Sequence, residues 1–343
     1  MASPKKMIRT IIVVSLLLAG IAAWYVFGSS TNFSEDKKSF YIKTGSSFNE
    51  VTDGLQQEGF VKNKTIFKWV ASVVKYKMVK PGKYVFDNGS NVLSIIRTLK
   101  QGRQTPVNLV INKLRTREDL ARKIALNFEC DSLSFISILS NNDSLAAYSL
   151  DTNTVMTAVI PNTYSLGWTT PAAKIFRKLY YEAEKFWNKE RQQKAKALNL
   201  SSGQVYTLAS IVEEETNMEE DKGKIASVYL NRMNTGMKLA ADPTVKFAMK
   251  DFALKRIYNK HLEFPSPYNT YQHTGLPPGP ICTPSSKTID AVLNAPTTNY
   301  LFFVAKPDFK GYSNFASTYE EHIQYARAYQ QALDELMKTK TAK

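Results

Sequence analysis

Residues 207–217, TLASIVEEETN, are the stretch from which the rest of this sequence can be interpreted. They lie in a run from 204 to 220 that holds good or neutral helix formers and no proline, and the loop at 201–203 (SSG) supplies candidate N-caps. At about 100° per residue the apolar side chains gather on one side: Val205, Leu208, Ala209, Ile211 and Val212. The sequence therefore predicts an amphipathic helix that carries three consecutive glutamates.

The three glutamates fall at different angles around this helix. Glu214 points away from the apolar face, which predicts a solvated charge, and Glu213 lies at the far flank. Glu215 continues the line of Leu208 and Ile211 and is the carboxyl that we expect to be half-buried. Burial raises the pKa of a carboxyl, as a general acid at neutral pH requires. Taken alone, however, the pattern is more typical of an acidic helix end than of a catalytic site.

Further motifs follow this helix in order along the chain. They are VYLNRM (228–233) in a second predicted amphipathic helix, GMKLAADPTV (236–245), YNTY (268–271) and TGLPPGPI (274–281). Together with ASIVEEET (209–216), they resemble the YceG-like endolytic murein transglycosylases, the MltG family, over roughly residues 200 to 330. Several motifs in the right order are far more specific than any one of them.

This resemblance implies a lytic transglycosylase whose mixed α+β catalytic domain carries a lysozyme-like catalytic helix. The implied reaction cleaves the MurNAc-GlcNAc β-1,4 bond of peptidoglycan without water. One Glu protonates the glycosidic oxygen and then, as a carboxylate, takes the proton of the muramic acid C6 hydroxyl, which attacks C1 and leaves a 1,6-anhydro end. Glu215 matches the catalytic position, although Glu214 stands where the family often has Lys. No cofactor is implied.

The resemblance also implies substrate-binding residues with side chains suited to sugar hydroxyls and ring faces: Asn231, Asp242, Tyr268, Asn269, Tyr271 and His322. Two of them have structural interpretations that the sequence leaves open. Asp242, followed by Pro243, also fits a helix N-cap with proline at N1. His322 stands near a predicted helix start between glutamates, where a structural role is more common. No histidine has a second ligand at zinc spacing, so no metal site is expected.

Composition limits the classes of partner. The 343 residues carry a formal net charge of +15, which suits polyanions or anionic surfaces. No nucleic-acid-binding motif is present, and we expect no nucleic-acid partner. Cys130 and Cys282 are too few for a disulfide framework and are interpreted as small apolar residues.

The N-terminus predicts a membrane anchor. Residues 11–27 are almost unbroken apolar sequence, with Lys5, Lys6 and Arg9 before them. A cleaved signal peptide is the alternative, but no clear small-x-small cleavage site follows. The positive charges place residues 1–10 in the cytoplasm, so we expect a single-pass protein of the bacterial inner membrane with its catalytic domain on the periplasmic or extracytoplasmic side.

The remaining chain divides into three predicted parts. Residues 28–38 form a polar linker, 39–105 a small α+β module, and 106–343 the catalytic domain. In this family the module resembles a LysM-like, glycan-binding fold, and a plain spacer domain fits it about as well. The expected partners are peptidoglycan glycan strands and cell-wall synthases in the membrane, and the activity would terminate or trim nascent strands.

Two other functions fit the sequence. A hydrolytic muramidase would use Glu215 but needs a second carboxylate to activate water, for which Asp242 is the candidate. A non-catalytic, membrane-anchored scaffold that binds peptidoglycan would need neither residue. The sequence does not decide the preferred glycan length or the oligomeric state.

Overall fold

The fold is mixed α+β, and the computed structural model describes residues 4–341 of it. The chain divides into two compact units. The first contains the residues up to Leu109 together with Asn127–Cys130 and Ser165–Pro171, and the second contains Val110–Leu126, Asp131–Tyr164 and the chain from Ala172 onward. Both units are therefore built from more than one stretch of sequence.

The first helix, α1, spans Pro4–Phe27, and its segment Lys5–Phe27 is long and apolar enough to cross a membrane. It begins before the predicted apolar run 11–27, because nothing in the basic segment ahead of that run breaks a helix. Near its C-terminal end Trp24 and Phe27 are exposed, while Val26 is half-buried against the core of the first unit. The expectation of one N-terminal spanning helix agrees with this geometry.

The first unit continues with two strands and three helices: β1 (Lys37–Ile42), α2 (Phe48–Gln57), α3 (Lys64–Val73), β2 (Gly82–Asp87) and α4 (Val92–Gln101). β1 and β2 pair antiparallel, with Phe40 opposite Tyr84. A Ser47–Glu50 capping box starts α2. The strands and helices enclose a core that contains Leu55, Phe60, Phe67, Ile95, Ile96 and Leu99.

The first half of the predicted linker 28–38 is hydrogen-bonded to the first unit. The backbone N–H of Ser30 donates to the carbonyl oxygen of Ser90 (3.0 Å), and the Thr31 hydroxyl donates to Asn88 Oδ1 (3.0 Å). Ser30 and Thr31 are both buried. The polar composition was compatible with a linker, but these hydrogen bonds attach the chain to the first unit almost directly after α1.

The rest of the chain adds four strands, eleven helices and one 3₁₀ turn. They are β3 (Val107–Val110), α5 (Arg117–Asn127), α6 (Ser132–Leu139), α7 (Asn142–Ala146), the 3₁₀ turn Val155–Ala158, β4 (Thr163–Leu166), α8 (Ala172–Phe186), α9 (Lys189–Ala197), α10 (Ser202–Glu215), α11 (Glu219–Asn234), α12 (Asp242–Met249), α13 (Asn259–Leu262), α14 (Ser286–Leu293), β5 (Phe302–Ala305), β6 (Ser313–Ala316) and α15 (Tyr319–Thr341).

Residues 172–197 form two helices rather than one, because Asn188 caps α9 by accepting the Arg191 N–H. The residues of β5 are half-buried or exposed. β5 pairs antiparallel with β6, with Phe303 opposite Phe315.

Helix α10 is the centre of the second unit. All residues from 205 to 212 are buried, so the helix has no solvated face and the amphipathic prediction was wrong. Its buried hydroxyls have partners: Thr207 donates to the Gly203 carbonyl and Ser210 to the Thr207 carbonyl. The helix ends at Glu215 rather than at 220, because Thr216 is extended and its hydroxyl accepts the Met218 N–H.

Polar contacts attach α10 to the loops around it. The Tyr206 hydroxyl donates to the Val159 carbonyl (2.6 Å) beside the segment IPNTY at 160–164. Ser210 accepts the Ile281 N–H (3.0 Å) at the end of TGLPPGPI. The position of α10 is thus fixed by hydrogen bonds as well as by apolar packing.

A substitution at Gly279, in the TGLPPGPI motif, would show how tightly these loops are packed. A Cβ at this residue would lie 2.0 Å from the carbonyl oxygen of Asn153, a backbone atom that cannot easily move away. We expect Gly279→Ala to destabilise the second unit by about 2 kcal/mol, lowering the Tm of the detergent-solubilised chain by about 5 °C. Gly203→Ala is the control, since its nearest neighbour is 4.0 Å away, and its Tm should be unchanged or higher. Equal Tm values for the two variants would contradict this packing.

Candidate active site

Glu215 is the last residue of α10 and is half-buried. Its Oε1 accepts a hydrogen bond from the Tyr229 hydroxyl at 2.7 Å. Burial raises the pKa of Glu215 to about 7, while the Tyr229 hydrogen bond opposes that rise. The charge of Asp242 raises this pKa further, and the cations Arg232 and Lys246 lower it. The result is a carboxyl that can both give and take a proton near neutral pH.

Tyr229 is presented to Glu215 by α11 and is itself buried. Its ring packs edge-on against Phe303 at a centroid distance of 5.9 Å. Burial, and then the neighbouring Glu215, raise the pKa of Tyr229 well above its ordinary value. Its hydroxyl therefore remains a proton-bearing donor to the carboxyl across the physiological pH range.

Asp242 lies at the start of α12, where the helix N-cap is Ala241 and not Asp242. The structural alternative of an Asp242 cap was thus wrong, and the carboxylate is available to accept the Tyr271 hydroxyl at 2.7 Å. The turn before it is strained, since Ala240 adopts φ +49°. Thr270 holds that turn by accepting the Ala241 N–H at 3.0 Å.

Arg232 is a member of the site that sequence reasoning missed. Its Nε donates to the Leu301 carbonyl (2.7 Å) and its Nη1 to the Leu239 carbonyl (2.5 Å), which holds a half-buried cation near Glu215. Burial lowers the pKa of this guanidinium. In the sequence, Arg232 stands out only as part of the motif VYLNRM, in which Asn231 was the residue predicted to bind substrate.

Glu213 and Glu214 do not behave as predicted, because both are half-buried. Glu214 pairs with Arg115 (2.9 Å) and Lys113 (3.2 Å) and its side chain is only 15% exposed, so it is not a solvated charge. Glu213 pairs with the buried Lys222 at 3.4 Å. These partners come from distant parts of the sequence, and helical periodicity could not reveal them.

Two predicted substrate-binding residues make contacts with the protein itself. Asn269 is fully buried, where its Nδ2 donates to the carbonyls of Leu262 and Phe264 and its Oδ1 accepts the Tyr271 N–H. It has no exposed surface with which to contact a substrate, which corrects the expectation. Asn231 donates to the carbonyls of Thr298 and Tyr300 and is half-buried.

Tyr268 and His322, which were also predicted to bind substrate, make ring contacts within the protein. Tyr268 packs its ring against Phe247 (4.8 Å) and points its hydroxyl at Asn153 Oδ1 (3.4 Å). His322 stacks on Phe302 at 5.2 Å, and its Nδ1 is buried without a hydrogen-bond partner among the described residues. Burial, with the charge of Arg232, lowers the pKa of His322.

The arrangement is therefore the Glu215 carboxyl with a neutral donor, Tyr229, and two cations, Arg232 and Lys246, near it. Asp242 is a second carboxylate whose charge acts on Glu215 while its own Oδ1 accepts the Tyr271 hydroxyl. Across residues 4–341, His, Cys, Asp and Glu side chains do not gather in any group of three or more that could hold a metal ion. Such a site can carry out general acid and base catalysis.

Both the sequence and the structure of this chain are similar to those of known proteins. The model of the YceG-like family matches residues 40–328. An endolytic murein transglycosylase of Bacillus subtilis is 28% identical over 299 residues, covering 82% of this chain and 81% of that protein. One from Streptococcus pneumoniae is 26% identical over 355 residues, covering 92% of this chain but only 63% of the relative. The crystal structure of a protein described as YceG-like from Listeria monocytogenes superposes with a TM-score of 0.58 at 27% identity, covering 85% of this chain and 99% of that one.

The raised pKa of Glu215 predicts how stability depends on pH. The folded carboxyl keeps its proton up to about pH 7, whereas the unfolded one loses it near 4.5, so its contribution to stability is full below 4.5 and is lost as the pH rises through 7. At pH 8 Glu215→Gln should exceed the wild type by up to about 3 kcal/mol in free energy of unfolding, with no gain at pH 4. Denaturant titrations at both pH values measure this, with the exposed Glu220→Gln as control. A gain independent of pH would contradict the assigned pKa.

Proposed function

The chain belongs to the YceG-like family, and we propose that it is an endolytic murein transglycosylase that cuts peptidoglycan glycan strands. The relatives that share most of its length carry that name. The observation that carries the proposal is the Glu215 carboxyl, half-buried, hydrogen-bonded to Tyr229 and with its pKa raised to about 7. A lytic transglycosylase needs one such group, because the same residue acts first as an acid and then as a base.

In the first step Glu215 acts as the general acid. Its proton passes to the oxygen that joins C1 of MurNAc to C4 of GlcNAc, the C1–O bond breaks, and positive charge develops at C1. With a pKa of about 7, roughly half of the carboxyls carry a proton at neutral pH, compared with well under 1% at the ordinary value of 4.5. The burial of Glu215 thus supplies the acid without lowering the pH.

In the second step the Glu215 carboxylate acts as the base. It takes the proton of the muramic acid C6 hydroxyl while the C6 oxygen bonds to C1, which closes the 1,6-anhydro ring and restores the acid. The Tyr229 hydroxyl and the charge of Arg232 both favour the carboxylate that exists between the two steps. The attack is intramolecular, and well-oriented intramolecular nucleophiles reach effective molarities of about 10⁵ M or more.

The supporting residues divide by exposure. Asp242 is exposed and Tyr268 and Tyr271 are half-buried, and we assign all three to substrate contact. Asn231 and Asn269 we assign to positioning, because their amides hold backbone segments around the site. For His322 we propose contact with the substrate through the face of its ring that is not stacked on Phe302.

The wider architecture fits a wall enzyme anchored at the membrane. The first unit has a strand–helix–helix–strand order with an antiparallel pair, which supports a LysM-like, glycan-binding module. We further propose that α10 is the counterpart of the catalytic helix of lysozyme-like enzymes. The basic residues at the start of α1 support an N-terminus in the cytoplasm, with the rest of the chain outside the inner membrane, near nascent strands and the synthases that make them.

The product distinguishes this reaction from hydrolysis. Purified full-length protein with murein sacculi should release glycans whose muramic acid ends are lighter by one water than reducing ends and resist borohydride, as mass spectrometry would show. Glu215→Gln should lose about 10²-fold or more of this activity, because it can neither donate nor accept the proton. Glu220→Gln, an exposed carboxylate on α11, should retain it.

Reducible muramic acid ends would instead identify a muramidase. Water at about 55 M competes with the C6 hydroxyl, and a second carboxylate is needed to orient it. Asp242 is close enough to affect the pKa of Glu215 and is the residue that would take that role. Loss of reducible ends in Asp242→Asn would then assign it.

Membrane orientation follows from the basic residues before the apolar run. A reporter that is active only outside the cytoplasm should be active when fused after Lys343 and inactive when fused before Met1. Reversing the charges of Lys5, Lys6 and Arg9 should reduce the activity of the C-terminal fusion. A trimmed, soluble protein lacking α1 would show a cleaved signal peptide instead.

A further inference from the structure

A second polar site lies in the second unit, in a cavity of about 260 Å³ that is lined in part by the motifs YNTY and TGLPPGPI. Three cations line it, Arg115, Arg117 and Lys250, together with Tyr268, Asn153 and Pro280. The volume is below the roughly 300–1,000 Å³ of sites that enclose a whole small ligand. The size of the cavity therefore fits one branch of a larger substrate.

Two motifs that the chemistry of Glu215 does not use build the walls of this cavity. Tyr268 comes from YNTY and Pro280 from TGLPPGPI. Gly279 lies against the Asn153 backbone, with no room for a Cβ, and the Tyr268 hydroxyl faces Asn153 Oδ1 at 3.4 Å. The cavity is thus a tightly packed feature of the fold rather than a gap between loops.

The charges in the cavity favour an anion. Arg115 and Arg117 are each partly neutralised, by Glu214 (2.9 Å) and Glu118 (3.2 Å), and Glu118 also lines the cavity. Lys250 has no carboxylate within 4.0 Å anywhere in residues 4–341. Against a single lining carboxylate there are three cations, which leaves the cavity electropositive.

Lys250 is held at the cavity wall by its backbone. It ends α12 in a left-handed conformation with φ +55°, and its N–H donates to the Phe247 carbonyl at 3.0 Å. Burial raises the pKa of Tyr268, which also lines the cavity, to about 12, so that hydroxyl stays a donor. The lining therefore includes both a cation and a neutral donor.

The cavity is linked to the catalytic end of α10. Arg115 lines it and at the same time pairs with Glu214, the residue before Glu215. A smaller cavity of about 50 Å³ shares Arg115 and Phe247 and is also lined by Glu214. A group bound to Arg115 would therefore lie close to the backbone that carries the catalytic carboxyl.

We propose that this cavity binds a carboxylate of the peptide attached to muramic acid. The inference rests on the proposed function. In intact peptidoglycan the lactyl carboxyl of each muramic acid is tied up in the amide bond to its peptide, so the anionic groups of the strand are the carboxylates of the stem peptides. A cut that depends on this contact falls preferentially on strands that still carry charged peptides. The site thus selects the substrate by its peptide while Glu215 cleaves its glycan.

The test compares three glycan substrates: strands with free peptide carboxylates, strands with amidated peptides, and strands stripped by an amidase. The wild type should cleave the first with the highest kcat/KM. In Lys250→Met and Arg117→Met, the ratio of kcat/KM for charged strands to that for amidated strands should fall about tenfold, since a charge-assisted contact is lost. Stripped strands carry a free lactyl carboxylate on each muramic acid, so they report activity without the peptide rather than without charge. Lys255→Met removes an exposed lysine outside the cavity and should keep the wild-type ratio.

Equal losses on charged and amidated strands in the cavity variants would overturn the proposal, as would a wild type that treats charged and amidated strands alike. Activity of the wild type on stripped strands shows separately that the proposed function holds. If the wild type cleaves nothing, co-sedimentation of the full chain with charged, amidated and stripped sacculi gives the same ratio as a binding preference, and its absence there would overturn the peptide site.

Discussion

The burial of α10 over residues 205–212 is the constraint on which the rest of the second unit depends. These eight residues have no solvated face, so the chain around them must supply apolar cover. The polar groups of Tyr206 and Ser210 bond to Val159 and Ile281, which brings the ends of the motif loops onto the helix. The helix then emerges at its C-terminal end with three carboxyls, where the helix dipole disfavours negative charge.

The three glutamates differ in the neighbours that offset this unfavourable interaction with the helix dipole. Glu213 has a buried lysine and two hydroxyls, and Glu214 has two cations. Glu215 has no ion-pair partner within 4.0 Å among the described residues, and its nearest donor is the neutral hydroxyl of Tyr229. Three identical side chains at successive positions thus receive different environments, and burial raises the pKa of the last, Glu215, to about 7.

Sequence reasoning reached the mixed α+β class, the apolar N-terminal helix and the half-burial of Glu215, because hydrophobic periodicity and ordered motifs are local signals. It failed where a distant part of the chain decides the outcome. The pairing of Glu214 with Arg115 joins residues that are 99 positions apart, and the burial of Asn269 follows from a turn around residues 262–271. Arg232 was missed for the same reason, since its importance comes from the carbonyls of Leu239 and Leu301.

The attachment of Ser30 and Thr31 to the first unit has a consequence for where the protein can act. Eleven free residues at 28–38 could have reached about 36 Å from the bilayer, yet the chain is fastened two residues after Gly28. With α1 across a membrane, the first unit would lie directly at the surface of that membrane. Two hydrogen bonds thus replace a flexible tether by a connection of two residues.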